Sequence, residues 1–161
     1  MSRQAGGPSL RRAWARAGLV LAVVLASDQV VKALVTGSLE RGEEREIVAG
    51  ITLVNTRNTG VAFGQLQGGG ALVAIVIAIA VAALLVYFAR HARQRLMWLP
   101  TGMLLGGALG NIVDRIREGA VIDFVKLPHW PAFNVADAAI TVGVVILLVV
   151  MERDDRARSA A

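Results

Sequence analysis

Residues 71–89, ALVAIVIAIAVAALLVYFA, run for 19 positions without a charge. A helix of that length, rising about 1.5 Å per residue, spans the ~30 Å hydrocarbon core of a bilayer. A helix apolar all round offers no face to water, so it belongs in lipid or wholly inside protein. Three further apolar segments, 13–35, 96–113 and 136–151, make lipid the simpler answer. Composition agrees: the 161 residues are 55% hydrophobic and 18% charged, with mean hydropathy +0.59, and the length suits one domain.

The first segment also fits a cleaved signal peptide, with its basic start, apolar stretch and small residues Ala26-Ser27. Against that, apolar character resumes after Asp28, and three more hydrophobic segments follow. Asp28 and Lys32 lie four apart on one helix face and are placed to pair, which makes both tolerable near the end of a membrane helix. Residues 1–12 and 152–161 read as disordered tails. The charged run from Glu40 to Glu46 is a solvated surface. Alternation over 46–55, with Ile47, Ala49, Ile51 and Leu53 on one side, predicts a short strand. Asn55 and Asn58 with Gly60 predict a turn, and Gly68 to Gly70 a flexible join to the next helix.

In the third segment Gly102, Gly106 and Gly110 recur every four residues, a smooth stripe that lets another helix approach closely. Asn111, Asp114 and Arg115 close that helix. A turn and short strand over 118–125 and a loop with Pro128, Trp130 and Pro131 lead to the fourth helix.

Basic residues set the orientation. Arg3, Arg11, Arg12 and Arg16, then Arg90, Arg93 and Arg95, then Arg153, Arg156 and Arg158 account for ten of the 17 lysines and arginines. With four spans these three regions share a side, and the positive-inside rule makes it the cytoplasm. The net charge of +5 is therefore no sign of a nucleic-acid partner. Residues 36–70 and 114–135 then lie outside, and Asp28, Lys32, Asn111, Asp114, Arg115, Asp123 and Asp137 collect at the outer membrane–water boundary. Charges beside a bilayer are costly and point to function.

The stretch 121–137, VIDFVKLPHWPAFNVAD, supplies two of these acids. Carboxylates held about 3 Å apart do not both ionise easily; they share a proton and titrate in two steps. One then serves as base on a water while the protonated partner polarises a peptide carbonyl, a metal-free and cofactor-free amide hydrolysis. No rival set is offered. With no cysteine there is no disulfide, thiolate metal site or thiol nucleophile, and His91 and His129 have no metal-ligand spacing. Ser27 and Lys32, five apart, sit on different helix faces. Asp137 has a second reading, because Asn134-Val-Ala-Asp137 fits a helix cap with an acid in the first turn. Asp114-Arg115 equally fits a surface pair at a helix end. Asp123, flanked by Val121, Ile122, Phe124 and Val125, fits no cap. By residues alone the shared-proton pair and the capping role of Asp137 both stand.

The blocks Asp28–Lys32, Asn55-Thr-Arg-Asn58-Thr-Gly60-Val-Ala-Phe63-Gly64, Gly106-Gly107 with Gly110-Asn111 and Asp114-Arg115, Val121-Ile-Asp123-Phe124 and Phe133-Asn134 with Ala136-Asp137 occur in one order over nearly the whole chain. Together they resemble the lipoprotein signal peptidase (signal peptidase II) family of intramembrane aspartic peptidases. The resemblance implies an all-α membrane protein: four transmembrane helices, a small extracytoplasmic β cradle and a short lid helix around residues 60–66. It implies one peptidase domain over 1–161, multi-pass in the bacterial inner membrane with both termini cytoplasmic. Its implied activity is removal of the signal peptide from diacylglyceryl-modified prolipoproteins, just before the lipidated cysteine, by a monomer working among membrane phospholipids. Asp123 and Asp137 match the catalytic pair. Asn111, Asp114, Arg115 and Asn134, with Gly110 beside them, match positions shaping the site; Asp28 and Lys32 match the first-helix pair; Asn55, Asn58 and Gly60 match the outer-loop motif. The Asp123–Asp137 connection is shorter than in enterobacterial members, which bears on the lid and loop.

A lipid-anchored cysteine holds the scissile bond at headgroup level, where the acids collect, and a two-tailed lipid is costly to lift out. The chain is no such substrate itself: Val24-Leu-Ala-Ser27 resembles a lipobox but no cysteine follows. A proton-coupled transporter, the second class, calls for acids near mid-membrane and polar stripes that 71–89 and 138–151 lack. In a third class, a structural membrane protein, the acids only cap helices.

Overall fold

The computed structural model describes residues 9–59 and 69–159. Their elements are helix α1 (Leu10–Ser38), strands β1 (Glu44–Val48) and β2 (Ile51–Asn58), helices α2 (Gly69–His91) and α3 (Trp98–Glu118), strand β3 (Val121–Lys126) and helix α4 (Val135–Ser159). The protein is thus four helices and one small antiparallel sheet of order β1-β2-β3. Gly60 and the expected lid at 60–66 lie outside the described residues.

The glycine stripe works as its spacing predicts. A Cβ at Gly102 would come within 2.6 Å of the Ala17 carbonyl, and one at Gly106 within 2.8 Å of the Leu21 carbonyl, so α3 lies backbone-close on α1. Gly107 does the same for α4, its absent Cβ falling 2.5 Å from the Ala136 carbonyl. With no hydrophobic drive between helices in lipid, such close approach is what binds them. Aromatic packing closes the end far from the sheet: Trp14 meets Phe88 edge-on at 4.7 Å and Arg16 lies 5.6 Å from the Trp98 ring, beside buried Ala13, Ala17, Met97 and Val150. At the sheet end Val35, Leu39 and Phe124 form a second core. The outer faces stay apolar. Leu19, Val23, Val30 and Leu34 of α1, Ile75, Val76 and Ile79 of α2, and Val142, Val145 and Val149 of α4 are exposed, a surface suited to lipid rather than water.

α1 and Val135–Ala157 of α4 are long and apolar enough to cross a membrane, and Ile75–His91 is a shorter apolar helix. α3 does not join them, because four glycines and the polar run from Asn111 to Glu118 dilute its apolar residues.

Five boundaries differ from expectation. The predicted strand over 46–55 is a hairpin: Gly50 takes φ +84°, turning the chain between β1 and β2, so Ile47 and Ile51 do not share one strand face. Asn55 and Asn58 are not in a turn, since pairing with β3 extends β2 through Asn58. α3 runs to Glu118, one turn past Arg115, and stops where Gly119 adopts a left-handed φ of +71°. Residues 152–159, expected as a tail, continue α4, with Arg156 and Glu152 paired at 2.6 Å one turn apart; α1 likewise begins at Leu10, inside the expected N-terminal tail.

Two irregularities aim side chains inward. The β2–β3 register moves from Leu53↔Val125 to Thr56↔Asp123, leaving one extra residue on β2; the bulge buries both Val54 and Asn55. After β3, Phe133 pairs back onto Val125 through bonds of 2.9 Å in each direction. That pairing closes the short Asp123–Asp137 connection and sets Asn134 beside β3.

Candidate active site

Asp123 lies mid-strand on β3 and is 1% exposed. Its Oδ1 accepts from Asn134 Nδ2 at 2.8 Å and its Oδ2 from Asn58 Nδ2 at 2.9 Å. Burial foremost raises its carboxyl above the ordinary carboxylate range; the Asn58 bond opposes this, the Asp137 charge adds to it, and Asn134 and Lys32 oppose it. Asp137, half-buried, occupies the first turn of α4. Its Oδ1 accepts from Asn111 Nδ2 at 2.8 Å, and its backbone N–H donates to Asn134 Oδ1 at 2.9 Å. Asn134 therefore is the cap the sequence suggested, and through its amide nitrogen it also holds Asp123.

A bond of 3.1 Å from Asn134 Nδ2 to Asn111 Oδ1 completes the connection. Asp123, Asn134, Asn111 and Asp137 form one hydrogen-bonded chain drawn from β3, the start of α4, α3 and α4 again. That chain fixes both carboxyl groups in place and gives them unequal surroundings.

Beneath lies a buried charge cluster. Lys32 Nζ meets Asp28 Oδ2 and Asp114 Oδ2, each at 2.6 Å, and Asn111 Oδ1 at 3.3 Å. Asp28 Oδ1 accepts the Ala136 N–H at 2.9 Å, so α1 caps the helix that carries Asp137. Asp114 Oδ2 accepts the Ile122 N–H at 3.1 Å, tying α3 to the strand that carries Asp123. Gly110 leaves room for this: a Cβ there would sit 2.6 Å from Asp28 Oδ2. The Asp28–Lys32 pair is as its i,i+4 spacing predicts. Asp114-Arg115 is no surface pair, for Asp114 is 3% exposed and Arg115 donates to the Asn111 carbonyl at 3.3 Å. Asn55 stands apart, donating to the Leu39 carbonyl at 2.9 Å and accepting from Arg57 at 2.6 Å.

Two participants escaped sequence reasoning. Gln29 donates to Asp114 Oδ1 at 3.0 Å and to the Gly110 carbonyl at 3.3 Å, bridging α1 and α3. Its signal was weak: a polar residue next to Asp28 in an apolar segment. Arg57 links Asn55 to Glu118, the latter at 3.5 Å; its signal was its place between Asn55 and Asn58 in the outer-loop block. The rejected Ser27–Lys32 set stays apart, with Ser27 exposed and Lys32 buried. Among the described residues no group of three or more His, Asp or Glu side chains is arranged to hold a metal ion.

A cleft of ≈ 750 Å³ opens between α2 and α3. Ile77, Val81, Leu85, Ile112 and Ile116 line its apolar length, and Thr59 and Arg115 supply its polar lining.

The family model for signal peptidase (SPase) II matches residues 20–153. A lipoprotein signal peptidase of Symbiobacterium thermophilum is 42% identical over 84% of this chain and 95% of its own length. One from Halothermothrix orenii is 33% identical over 86% of this chain and 96% of its own. Among solved structures, a bacterial membrane enzyme determined by the in meso method superposes with a TM-score of 0.79 at 28% identity, covering 91% of this chain and 96% of that one.

Proposed function

The chain belongs to the signal peptidase II family, and from that premise we propose that it cuts diacylglyceryl-modified prolipoproteins just before the lipidated cysteine, with Asp123 and Asp137 as the catalytic pair. Membership makes it a peptidase that removes signal peptides from prolipoproteins. The observation that carries the finer reading is the unbroken chain Asp123–Asn134–Asn111–Asp137, with Asp123 buried enough to favour a proton.

In the mechanism one aspartate is ionised and its partner protonated. The ionised carboxylate takes a proton from a water, whose oxygen adds to the scissile carbonyl carbon. The partner gives its proton to the carbonyl oxygen, and a neutral gem-diol forms. Collapse breaks the C–N bond: the first carboxyl protonates the leaving nitrogen, and a diol hydroxyl returns a proton to the second. The pair ends as it began.

All four helices cross the inner membrane in this reading, with both termini cytoplasmic and the sheet outside. The exposed apolar faces of α1, α2 and α4 and the basic residues at 90–95 and 153–158 support that orientation. The cleft between α2 and α3 supports entry of an apolar substrate segment from lipid, beside Arg115. The protein acts as a monomer among membrane phospholipids.

The test is a gel-shift assay on a lipidated precursor with Asp123→Asn and Asp137→Asn made separately. Each variant inserts and folds yet leaves the precursor uncut. Full cleavage by either rejects the pair.

A further inference from the structure

Side-chain amides present either N–H or C=O to a neighbour, and only surrounding groups decide which. Here both amides between the aspartates are decided by groups that can only donate. The Lys32 ammonium, 3.3 Å from Asn111, obliges that residue to turn its oxygen inward, so its NH2 faces Asp137 at 2.8 Å. The Asp137 backbone N–H, 2.9 Å from Asn134, obliges that residue to do the same, so its NH2 faces Asp123 at 2.8 Å.

The Lys32 ammonium is paired with two carboxylates, Asp28 and Asp114, and donates a further hydrogen bond to Asn111. Two carboxylates suffice to neutralise it, so the third bond is not needed for charge. It leads to the acids, and the sequence reading and the family resemblance assign it no task.

We propose that Lys32 is a positioning residue for the aspartate pair: it locks the Asn111 amide with N–H, never C=O, toward Asp137. The inference rests on the reading of Asp123 and Asp137 as the catalytic pair. An N–H facing a carboxyl group favours its charged form and a C=O its neutral form. Without Lys32 only Asn134 Nδ2, at 3.1 Å, holds the Asn111 oxygen, and its two N–H groups also serve Asp123 and the Ile122 carbonyl; the amide would then sample both orientations, and the pair would lose its fixed division of labour. The charged groups around the pair are Asp28 and Lys32 from α1, Arg57 from β2, and Asp114 and Arg115 from α3. Lys32 alone among them donates to an amide that touches an aspartate of the pair.

The experiment measures kcat and KM against pH on a lipidated precursor peptide, using the full chain in lipid. Lys32→Met lowers kcat about 100-fold with KM little changed. Asn111→Ala does likewise, and the double variant is no slower than the slower single, because both remove one function. Losses that multiply in the double variant overturn the proposal. Removing Lys32 alone strands two buried carboxylates, so Lys32→Met combined with Asp28→Asn and Asp114→Asn serves where Lys32→Met does not fold. The triple variant keeps an oxygen for the Ala136 and Ile122 N–H groups and leaves no unpaired charge, but takes the ammonium away from the Asn111 amide. A purely structural Lys32 predicts a folded triple variant with the wild-type pH profile. Positioning predicts a folded enzyme with kcat lost and the acid limb moved up by about one pH unit or more. If Asp123→Asn or Asp137→Asn still cleaves, the underlying reading fails; if both are dead and the triple variant is normal, this inference alone fails.

Discussion

Replacing Gly110 by alanine adds one methyl group directly against the buried charge cluster. The new Cβ would lie 2.6 Å from Asp28 Oδ2, against ordinary contact at 3.4 Å or more, so the carboxylate must retreat by 0.8 Å (3.4 less 2.6). It is tethered on both oxygens, to Lys32 at 2.6 Å and to the Ala136 N–H at 2.9 Å. The same retreat taken along the Ala136 bond carries it past hydrogen-bonding range. Overpacking costs about 1–3 kcal/mol. A lost hydrogen bond to a charged group costs about 1.5–3 kcal/mol, and better helix propensity returns about 1 kcal/mol. The net loss is about 1.5–5 kcal/mol, a fall in Tm of roughly 3–20 °C for a chain of this size. Thermal unfolding of the purified protein in detergent, read beside precursor cleavage, measures both consequences. Gly37→Ala is the control: nothing lies within 4 Å of its added Cβ, and it gains about 0.5–1 kcal/mol. A Gly110→Ala protein as stable and active as the Gly37→Ala control refutes the argument that Gly110 exists to admit Asp28.

Asn134→Ser keeps an oxygen to cap α4 but loses the amide donor to Asp123, Asn111 and the Ile122 carbonyl; stability falls by about 1–3 kcal/mol in melting, while cleavage is lost, as gel shift shows. Asn134→Asp keeps the cap and sets a second acid 2.8 Å from Asp123 Oδ1, so it abolishes cleavage below neutral pH first. Asp123→Asn removes a carboxyl whose folded value is raised. Such a group destabilises the fold as pH rises through that folded value, so the variant's gain in Tm is larger at about pH 8 than at about pH 4.5. Asn55→Ala frees the Leu39 carbonyl and the Arg57 guanidinium, costing about 1–3 kcal/mol in the same melting assay without moving the pH profile of cleavage.

The parts of this fold set by local spacing were readable in advance. The glycine stripe, the Asp28–Lys32 pair and the Asn134 cap each rest on a spacing of four positions or fewer, and a helix converts such spacing directly into contact. Asp123 was readable from its apolar flanks. The hairpin was not, because hydrophobic alternation continues across Gly50 and only a left-handed φ there reveals the turn. Asn58 was misread because turn residues also serve as strand residues when a partner strand, here β3, arrives 65 residues later. Gln29 and Arg57 take their roles from partners 85 and 61 positions away. The amide orientations at Asn111 and Asn134 lie furthest from view, since they depend on which donors converge in three dimensions.

The bond from Asp28 to the Ala136 amide joins residues 108 apart, near opposite ends of the chain. During synthesis Lys32 is at hand for one oxygen of Asp28 on the first helix, but the other must wait until nearly all of the polypeptide has left the ribosome. Only when the last helix threads in beside it do the acids come together. A newborn copy is thus harmless to its neighbours until its own insertion is finished, and a truncated one never becomes a protease at all.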